Sequence, residues 1–496
     1  MTKIAIIGAG VGGLSTGIYL QNAGYEVDIY EKNGHSGGKM DRIEANGFKF
    51  DTGPTIVMMP DIYQKPFTDT GVNYNDYFSM VRVNPFMSVI TGDKQIPLSS
   101  DLVDIAKSFE AYGETEMLGF LKYLTDIYAK YINAKNNFIY RSFRGPKDFF
   151  NLKTLWHAYQ LKTFSSSYEA IKKNINHTDL QYLMSFQTLY IGISPFSGPS
   201  IYNIIPMIEL VYGVWYIQGG MFEYAKALEK RFIELGGHIH FNSEVQHINV
   251  SNHQHVTGLQ IHDETISTDA VVANADFPYT MSELIAREDN LRGRYTPQKI
   301  QKLDYSMSCF LLYLGIDKQY DGKQLHTIKM ADDFEKNIND IEAGILPDDP
   351  SFYVYNPSTI DPTFAPVGQS SLYILVPVAN LKANDDWDED TVMRFADSVI
   401  TQVSHDLEMP DLSEHIVYQK IFTPKTFENR YHSFFGSTFG LKPTLKQSNY
   451  FRPHNKHATI DNLYFAGASV HPGAGVPIVL TSGELTAKEV MRDFND

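Results

Sequence analysis

Hydrophobic and polar residues separate into distinct elements within the first thirty positions. A short apolar run, Lys3–Ile7, predicts a β-strand. From Leu14 to Ala23 the apolar residues recur at helical spacing, and Gly24 is placed to end the helix. Apolar and polar residues then alternate through Glu26–Tyr30, which predicts a second strand. The pattern therefore predicts a strand–helix–strand unit at the start of the chain.

The middle of the chain carries similar patterns. Strands are predicted at His238–Phe241, Gln246–Val250 and Ala270–Ala273, and a helix is predicted after Gly219 and Gly220. Strands that alternate with helices are typical of an α/β fold, and 496 residues exceed one typical domain. We expect an α/β protein of two domains.

An apolar run, Ile201–Ile217, is the strongest hydrophobic stretch of the chain. It contains Pro206, Glu209 and Gly213, so it never reaches the 18 or more uninterrupted apolar residues typical of a membrane helix. We predict that it is buried inside the protein.

Glycines interrupt the first unit in a pattern that indicates dinucleotide binding. Gly8, Gly10 and Gly13 form GxGxxG between the first strand and the helix. The first glycine makes the turn, the second lets a pyrophosphate approach the backbone, and the third lets helix and strand pack closely. Glu31 follows the second strand and is placed to accept hydrogen bonds from a ribose. The predicted cofactor-binding residues here are Gly8, Ala9, Gly10, Val11, Gly12, Gly13, Glu31 and Lys32.

Composition excludes several functions. The net charge of −16 argues against a nucleic-acid partner, because such a partner requires basic surface. The single cysteine, Cys309, cannot form an intrachain disulfide. The apolar strand begins directly after the N-terminus, so no signal peptide is expected. The histidine pairs His238/His240 and His454/His457 lack carboxylates at a ligand spacing, so no metal is expected.

Three further segments resemble a known family. They are "GHSGGKMDR" (Gly34–Arg42), "FKFDTGPT" (Phe48–Thr55) and "NLYFAGASVHPGAGVPIVLTSGE" (Asn462–Glu484). In this order they resemble the bacterial carotenoid (phytoene) desaturases, which are FAD flavoproteins related to the amine oxidases. The stretches Phe50–Tyr63 and Phe465–Ser482 resemble the C30 branch, the 4,4'-diapophytoene (dehydrosqualene) desaturases.

This resemblance implies FAD as the cofactor and a discontinuous Rossmann-like domain. Residues 1–81, 219–290 and 437–496 would form the FAD-binding domain. Residues 82–218 and 291–436 would form a substrate domain of mixed sheet and helices. The further cofactor-binding residues that the resemblance implies are Gly38, Lys39, Gly53, Pro54, Thr55, Val245, Gly467, Ala468, Gly475 and Val476.

The implied reaction is stepwise dehydrogenation of 4,4'-diapophytoene to more conjugated C30 carotenoids such as 4,4'-diaponeurosporene. Hydride passes to FAD and a proton is lost. Met58, Met59 and the run Ile201–Ile217 are expected to line a tunnel. Two acids are candidates for the proton acceptor: Asp148 by resemblance, and Glu209 because burial in its apolar run would raise its pKa.

The segment Lys122–Lys173 indicates a membrane surface as a partner. It has ten Lys and Arg residues against three acids, with twelve aromatic residues interleaved. This composition suits the headgroup zone of an anionic bilayer. We expect peripheral attachment at the cytoplasmic face of the cell membrane, a C30 isoprenoid hydrocarbon substrate, and quinone or oxygen as electron acceptor.

Three alternatives stay open from the sequence. A related terminal-methyl oxidase that makes carotenoid aldehydes shares the same motifs. A flavin-dependent carotenoid isomerase would cause no net redox change. A non-redox prenyl-binding protein of the same fold would use no flavin, and the intact glycine motif and C-terminal segment argue against it.

Overall fold

A computed structural model describes residues 2–161, 163–285 and 289–494. Lys162 of the basic segment, residues 286–288 of the predicted portion 219–290, and the outer ends of the portions 1–81 and 437–496 lie outside the described residues. The strands are β1 (Lys3–Ile7), β2 (Glu26–Tyr30), β3 (Arg42–Ala45), β4 (Phe48–Asp51), β5 (Met80–Val83), β6 (Met87–Thr91), β7 (Lys94–Leu98), β8 (Val214–Ile217), β9 (His238–His240), β10 (Val245–Val250), β11 (Val256–Ile261), β12 (Glu264–Ser267), β13 (Ala270–Ala273), β14 (Ser308–Ile316), β15 (His326–Lys329), β16 (Phe352–Tyr355), β17 (Ser370–Val378), β18 (Ile416–Phe422) and β19 (Leu463–Phe465).

The α-helices cover the segments between these strands. They are α1 (Val11–Asn22), α2 (Pro60–Thr68), α3 (Leu102–Glu110), α4 (Glu114–Ala134), α5 (Pro146–Phe149), α6 (Leu152–Leu161), α7 (Ser167–Ile171), α8 (Thr178–Leu183), α9 (Ile204–Tyr212), α10 (Met221–Glu234), α11 (Phe277–Tyr279), α12 (Asp289–Arg292), α13 (Pro297–Gln301), α14 (Phe334–Ala343), α15 (Glu389–Asp406), α16 (Pro424–Tyr431) and α17 (Val476–Phe494).

A parallel sheet holds the N-terminal unit, with its strands in the order β19-β13-β1-β2-β9. Ile7 pairs with both Tyr30 and Ala273, and Ala273 pairs with Phe465. The carboxyl ends of the strands therefore meet at one edge, where open α/β sheets bind their ligands. The strands come from the start, the middle and the C-terminal portion of the chain, so this edge is built from three distant segments.

Strand β1 is buried on both faces, which explains its continuous apolar sequence. Ile4 and Ile6 pack into a cluster with side chains of α1, α10 and α17. Ala5 and Ile7 face a second cluster that contains Val245 and Ile248 of β10. Because successive side chains of a strand point to opposite faces, both sets must be apolar.

A second, mixed sheet forms the other half of the molecule, in the order β18-β14-β17-β16-β15-β6-β7. Its pairs are antiparallel except for β15 with β6. Every residue of β14 is buried, because α15 covers one face of the sheet and aromatic side chains cover the other. The predicted α/β class with a mixed sheet-plus-helix domain is confirmed.

The first predicted elements are confirmed with small shifts. The strands Lys3–Ile7, Glu26–Tyr30 and Ala270–Ala273 have the predicted bounds, but α1 begins at Val11 and not at Leu14. The helix starts earlier because Gly10 serves as its N-cap and the glycines after it adopt helical backbone.

The apolar run Ile201–Ile217 is mostly buried, as predicted, except for Val211 and Tyr212 at the end of its helix, which are exposed. It divides into α9 and β8 at Gly213, whose φ of +77° ends the helix. Within residues 2–161, 163–285 and 289–494, no helix combines the length and the apolar character needed to cross a membrane.

Candidate active site

A cavity of about 970 Å³ begins at the carboxyl edge of the parallel sheet and extends among the helices and the mixed sheet of the second half. The predicted cofactor-binding residues line it, apart from Ala9 and Gly13. The lining members are Gly8, Gly10, Val11, Gly12, Glu31, Lys32, Gly38, Lys39, Gly53, Pro54, Thr55, Val245, Gly467, Ala468, Gly475 and Val476. Segments that the sequence separates by more than 400 residues therefore share one cavity.

Glycine occupies each of the three positions of the loop motif for a different structural reason. Gly8 has a φ of +95°, a conformation that favours glycine. A Cβ on Gly13 would lie 2.1 Å from the carbonyl oxygen of Gly8, so this position must stay bare for helix and strand to pack. Gly10 precedes α1 with ordinary backbone, and no side chain of its own caps the helix. The N-terminus of α1 therefore presents N–H groups toward the cavity, an arrangement that favours a phosphate.

Glu31 is buried at the end of β2, beside this loop. Its Oε2 accepts the N–H of Ala9 at 2.8 Å, and its Oε1 accepts the N–H and the Nδ2 of Asn33 at 2.9 and 2.8 Å. Ala9 thus acts through its backbone, which orients the carboxylate. A carboxylate offers about four acceptor sites and these hydrogen bonds use three of them, so Oε2 keeps the capacity to accept one further hydrogen bond from a ribose hydroxyl.

The C-terminal segment closes over the loop through Asn274. Asn274 Nδ2 donates to the carbonyl oxygen of Ala466 at 3.0 Å. A Cβ on Gly12 would lie 2.6 Å from Asn274 Nδ2 and 3.3 Å from the Cα of Gly467. The small residues near the C-terminus are therefore required where two backbones approach each other. The sequence prediction did not include Asn274 among the cofactor-binding residues, although the segment Asn274–Pro278 that it begins also resembles the carotenoid desaturase family.

These residues fit FAD. The uncapped helix end suits a pyrophosphate, Glu31 suits a ribose, and the bare glycines leave the depth for a flat ring. Lys39, beside them, donates from Nζ to the carbonyl oxygen of Thr438 at 2.8 Å, and desolvation lowers its pKa. This lysine is therefore held in the wall near the position expected for the cofactor.

A hydrogen-bonded group of polar side chains lies in the otherwise apolar part of the cavity. The hydroxyl of Tyr353 lies 2.7 Å from Thr55 Oγ1 and 2.7 Å from His326 Nδ1. Both Thr55 and Tyr353 line the cavity. His326 lies buried behind them, its Nε2 has no hydrogen-bond partner among the described residues, and burial lowers its pKa to about 3. His326 is therefore neutral, and the sequence prediction included neither it nor Tyr353.

The remainder of the cavity is mostly apolar. Met58 and Met59 line it as predicted, and so do Ile204, Ile205 and Ile208 of α9. Such walls exclude water and suit a long hydrocarbon. Within the described residues, no group of three or more His, Cys, Asp or Glu side chains could hold a metal ion.

Asp148, the first candidate for the proton acceptor, does not line the cavity. Its Oδ2 accepts the backbone N–H groups of Arg144 and Gly145 at 2.8 and 3.0 Å. These hydrogen bonds, that of Arg144 first, hold the pKa of Asp148 below its ordinary value. The carboxylate therefore caps the start of α5, while Phe149 beside it reaches the cavity.

Glu209, the second candidate, lies behind the cavity wall. It is 1% exposed, it accepts from Gln187 Nε2 at 3.3 Å, and its Oε1 has no partner among the described residues. Burial raises its pKa to about 8, so the carboxyl is largely protonated at neutral pH. A protonated acid is a donor and not a proton acceptor. Tyr190, which interacts with Glu209, does line the cavity. A catalytic role for either acid stays a prediction.

The parallel sheet, its glycine loop and the cavity define a dinucleotide-binding α/β protein. The model of the flavin containing amine oxidoreductase family matches residues 11–491. The chain belongs to the flavin containing amine oxidoreductase family. The predicted FAD cofactor and oxidoreductase class are confirmed.

Three proteins illustrate the relationship. A protein of Staphylococcus haemolyticus (strain JCSC1435), named 4,4'-diapophytoene desaturase (4,4'-diaponeurosporene-forming), is 42% identical over 496 residues, which cover 99% of each chain. An oxidoreductase structure from Methanosarcina mazei has a TM-score of 0.63 and 17% identity, covering 99% of this chain and 100% of its own. A putrescine oxidase structure with bound putrescine has a TM-score of 0.63 and 11% identity, with 99% of both chains covered. The two solved structures share the fold.

Proposed function

We propose that this protein is a FAD-dependent desaturase that converts 4,4'-diapophytoene into more conjugated C30 carotenoids such as 4,4'-diaponeurosporene. The observation that carries the proposal is the continuous cavity, which joins the FAD cradle to an apolar channel. The substrate is inferred from the relative of S. haemolyticus, because its name states the substrate and its similarity covers 99% of both chains.

Desaturation removes a hydride and a proton from adjacent carbons of the substrate. Bound FAD supplies the two-electron acceptor for this chemistry. The glycine loop, Glu31 and the segment Gly467–Val476 would hold FAD, and the apolar walls position the chain and exclude water. Thr55 and Tyr353 place oxygen atoms on the wall near the cofactor segments. A hydrogen beside a developing polyene cation is acidic enough that a weak acceptor suffices.

Expression in cells that make 4,4'-diapophytoene tests the proposal. We expect a yellow to orange C30 polyene, identified by its absorption spectrum and mass. A cofactor-binding variant, Gly10→Val, is the matched control and should leave the cells colourless. Unchanged 4,4'-diapophytoene in cells that hold the flavin-loaded wild-type protein would contradict the proposal.

Two further measurements separate the other enzymatic alternatives. A terminal oxidase would leave 4,4'-diapophytoene unchanged and convert an already conjugated C30 polyene into an aldehyde. An isomerase would change double-bond geometry without reducing the flavin under anaerobic conditions. The alternative of a prenyl-binding protein without a flavin is not supported, because the chain belongs to an oxidoreductase family.

We further propose that the protein attaches peripherally to the membrane through the α6 face, defined as Leu152, Leu155, Trp156, Tyr159 and Phe164. These side chains are exposed, Leu152 at 90% and Phe164 at 85%. Leu155, Tyr159 and Phe164 also line the cavity. The cavity therefore opens among exposed apolar side chains, which is the arrangement needed to take a hydrocarbon directly from lipid.

Charge around the α6 face supports an anionic lipid surface. Lys147 and Lys153, which are next to this face in the chain, are exposed. Lys172 and Lys173, at the end of the segment Lys122–Lys173, are exposed too, and Lys172 pairs with Glu169. Arg144, by contrast, pairs with Glu489 and Asp493 of α17, so it holds the fold together. Each Lys near an anionic surface contributes about 1 kcal/mol.

Vesicle binding tests the attachment with matched variants. Leu152→Ser with Trp156→Ser should lower binding to neutral and anionic vesicles alike, because apolar burial is lost. Lys147→Glu with Lys153→Glu should lower binding to anionic vesicles only, and added salt should do the same. Val367→Ser, at a fully exposed apolar residue outside this face, is the control and should bind like wild type. Equal binding by all variants would contradict the proposal.

We propose that a membrane quinone or oxygen accepts the electrons after each turn, at the cytoplasmic face. An apolar mouth at the bilayer surface gives a lipid-soluble quinone access by the same route as the substrate. Anaerobic vesicles with and without quinone test this. Multiple turnovers without either acceptor would contradict it.

A further inference from the structure

The cavity has a closed side as well as an open mouth. Phe186, Met330 and Phe334 line it and are at most 2% exposed, whereas the lining residues Tyr159 and Phe164 of the α6 face lie largely in solvent. A linear molecule that enters through the mouth would therefore meet a wall at these buried side chains.

The path to this wall follows β15 away from the cofactor segment. Tyr353, which hydrogen bonds to Thr55, pairs in register with Ile328 of β15. Met330 lies two residues further along the chain, about 6–7 Å beyond Ile328 at strand spacing. Phe334 then begins α14. All four of Ile328, Met330, Phe334 and Tyr353 line the cavity.

The wall is fixed in place. The Phe334 ring packs against Tyr182 and Phe196, with centroid distances of 5.1 and 6.0 Å. Neither of these two aromatic residues lines the cavity, so the cavity ends at Phe334. The backbone is held as well, because Asp333 caps α14 by accepting the N–H of Lys336 at 2.9 Å. Phe334 is therefore packed against aromatic side chains on the side away from the cavity.

We infer that Phe334, together with Met330, sets how far an isoprenoid chain enters and thereby selects a C30 chain over a C40 chain. The inference rests on the proposed function. A C40 chain is one isoprene unit longer in each half, so its end would extend further toward the Phe334 ring than the end of a C30 chain held with the same bonds beside the Thr55 segment. The wall thus fixes both chain length and the bonds presented to the cofactor.

Competition between C30 and C40 phytoene in mixed vesicles tests the inference. Phe334→Ala should raise the ratio of C40 to C30 consumption by about tenfold or more, since a pocket discriminates by that factor for small changes in size. Phe334→Leu should give an intermediate ratio and keeps more of the packing. Phe109→Ala is the matched control, because Phe109 is equally buried in the same cluster but does not line the cavity. It should leave the ratio unchanged.

Equilibrium binding gives a second measurement that does not depend on turnover. The amount of C40 polyene retained relative to C30 polyene should rise in both Phe334 variants. A ratio within about twofold of wild type in both variants, with full flavin content, would overturn the inference, since the expected change is about tenfold. If wild type consumes no C30 phytoene, the proposed function fails, and the binding ratio still decides the role of Phe334.

Discussion

Substitutions of single glycines in the cofactor loop should separate an effect on cofactor binding from an effect on folding. Gly10→Val should abolish FAD binding while the protein folds, because the backbone there is ordinary and a Cβ would meet only the side-chain oxygen of Asn274, at 3.0 Å. Gly13→Ala should impair folding, since its Cβ would strike the backbone oxygen of Gly8. Flavin absorbance and thermal unfolding of the purified variants measure the two effects. Full flavin occupancy in Gly10→Val would contradict the assigned phosphate approach.

Glu209 predicts a pH dependence of stability. Its pKa is about 8 in the folded protein against 4.5 without the fold, so the unfolded chain ionises first as pH rises. Stability from this group is present below pH 4.5 and is lost as pH rises toward 8. Between about pH 5 and 8 the loss is about 3–4 kcal/mol.

Glu209→Gln should remove this loss, because an amide cannot ionise and retains the shape of the protonated acid. This loss of stability is measured as the difference in the free energy of unfolding between urea titrations at acid and at alkaline pH. Glu283→Gln, at an exposed acid, is the control. A wild-type slope in Glu209→Gln would show that the buried carboxyl is not the cause.

The C-terminal segment over the cofactor depends on one buried arginine. The Arg452 guanidinium donates to the carbonyl oxygens of Ala468 at 2.6 Å, Val470 at 3.0 Å and Gln447 at 3.2 Å. Burial lowers its pKa to about 10, still well above neutral pH, so the group stays charged.

Arg452→Lys should loosen this segment, since an ammonium cannot supply the planar fork of donors. We expect a loss of about 2–4 kcal/mol in stability and faster FAD release. Flavin fluorescence after dilution measures the release. Arg394→Lys, at an exposed arginine, should release FAD like wild type.

Local patterns identified elements better than they identified pairings. β1, β2 and β13 carry their signal within a few residues, so their bounds were predictable. The parallel pairing of β15 with β6 was not predictable, because it joins segments more than 200 residues apart. The break at Gly213 was not predictable either, because the strand after it pairs with β5, more than 100 residues earlier in the chain. Periodicity contains no information about such partners.

At the scale of the whole molecule, the site residues that belong to sequence motifs were predicted, and those that depend on the fold were not. The glycine loop and the C-terminal segment were predicted together, since both carry motifs. Asn274 and Tyr353 were missed because each acts through a hydrogen bond to a residue far away in the sequence, and His326 was missed because it acts through Tyr353. Asp148 and Glu209 were chosen as acids in apolar or aromatic surroundings, and only the fold shows that neither reaches the cavity.

The folded molecule as a whole should be sensitive to acid through buried neutral histidines. His471 Nε2 donates to the carbonyl oxygen of Arg141 at 2.9 Å, and its Nδ1 has no partner among the described residues. Burial lowers its pKa to about 3, with smaller effects from the neighbouring charges of His454 and Arg452.

Because the unfolded chain binds this proton near pH 6.5, stability should fall as pH drops from about 6.5 toward 3, by about 2 kcal/mol at pH 5. His471→Gln should flatten this part of the curve, measured by urea unfolding at several pH values. His253→Gln, at an exposed histidine, should not. An unchanged curve in His471→Gln would contradict the assignment.

The cofactor-binding site is built from distant segments of the chain, so it can be completed only late in synthesis. The ribosome delivers the glycine loop first and the α6 face soon after it, but β19 and α17 only near the end. Ser15 of α1 must wait for the carbonyl oxygen of Leu480, to which it donates at 3.1 Å. A nascent chain would therefore expose the α6 face, the surface proposed to bind lipid, long before it could retain a flavin. Translation close to the bilayer would shelter that surface, and the coloured, working form would arise only after the polypeptide is released.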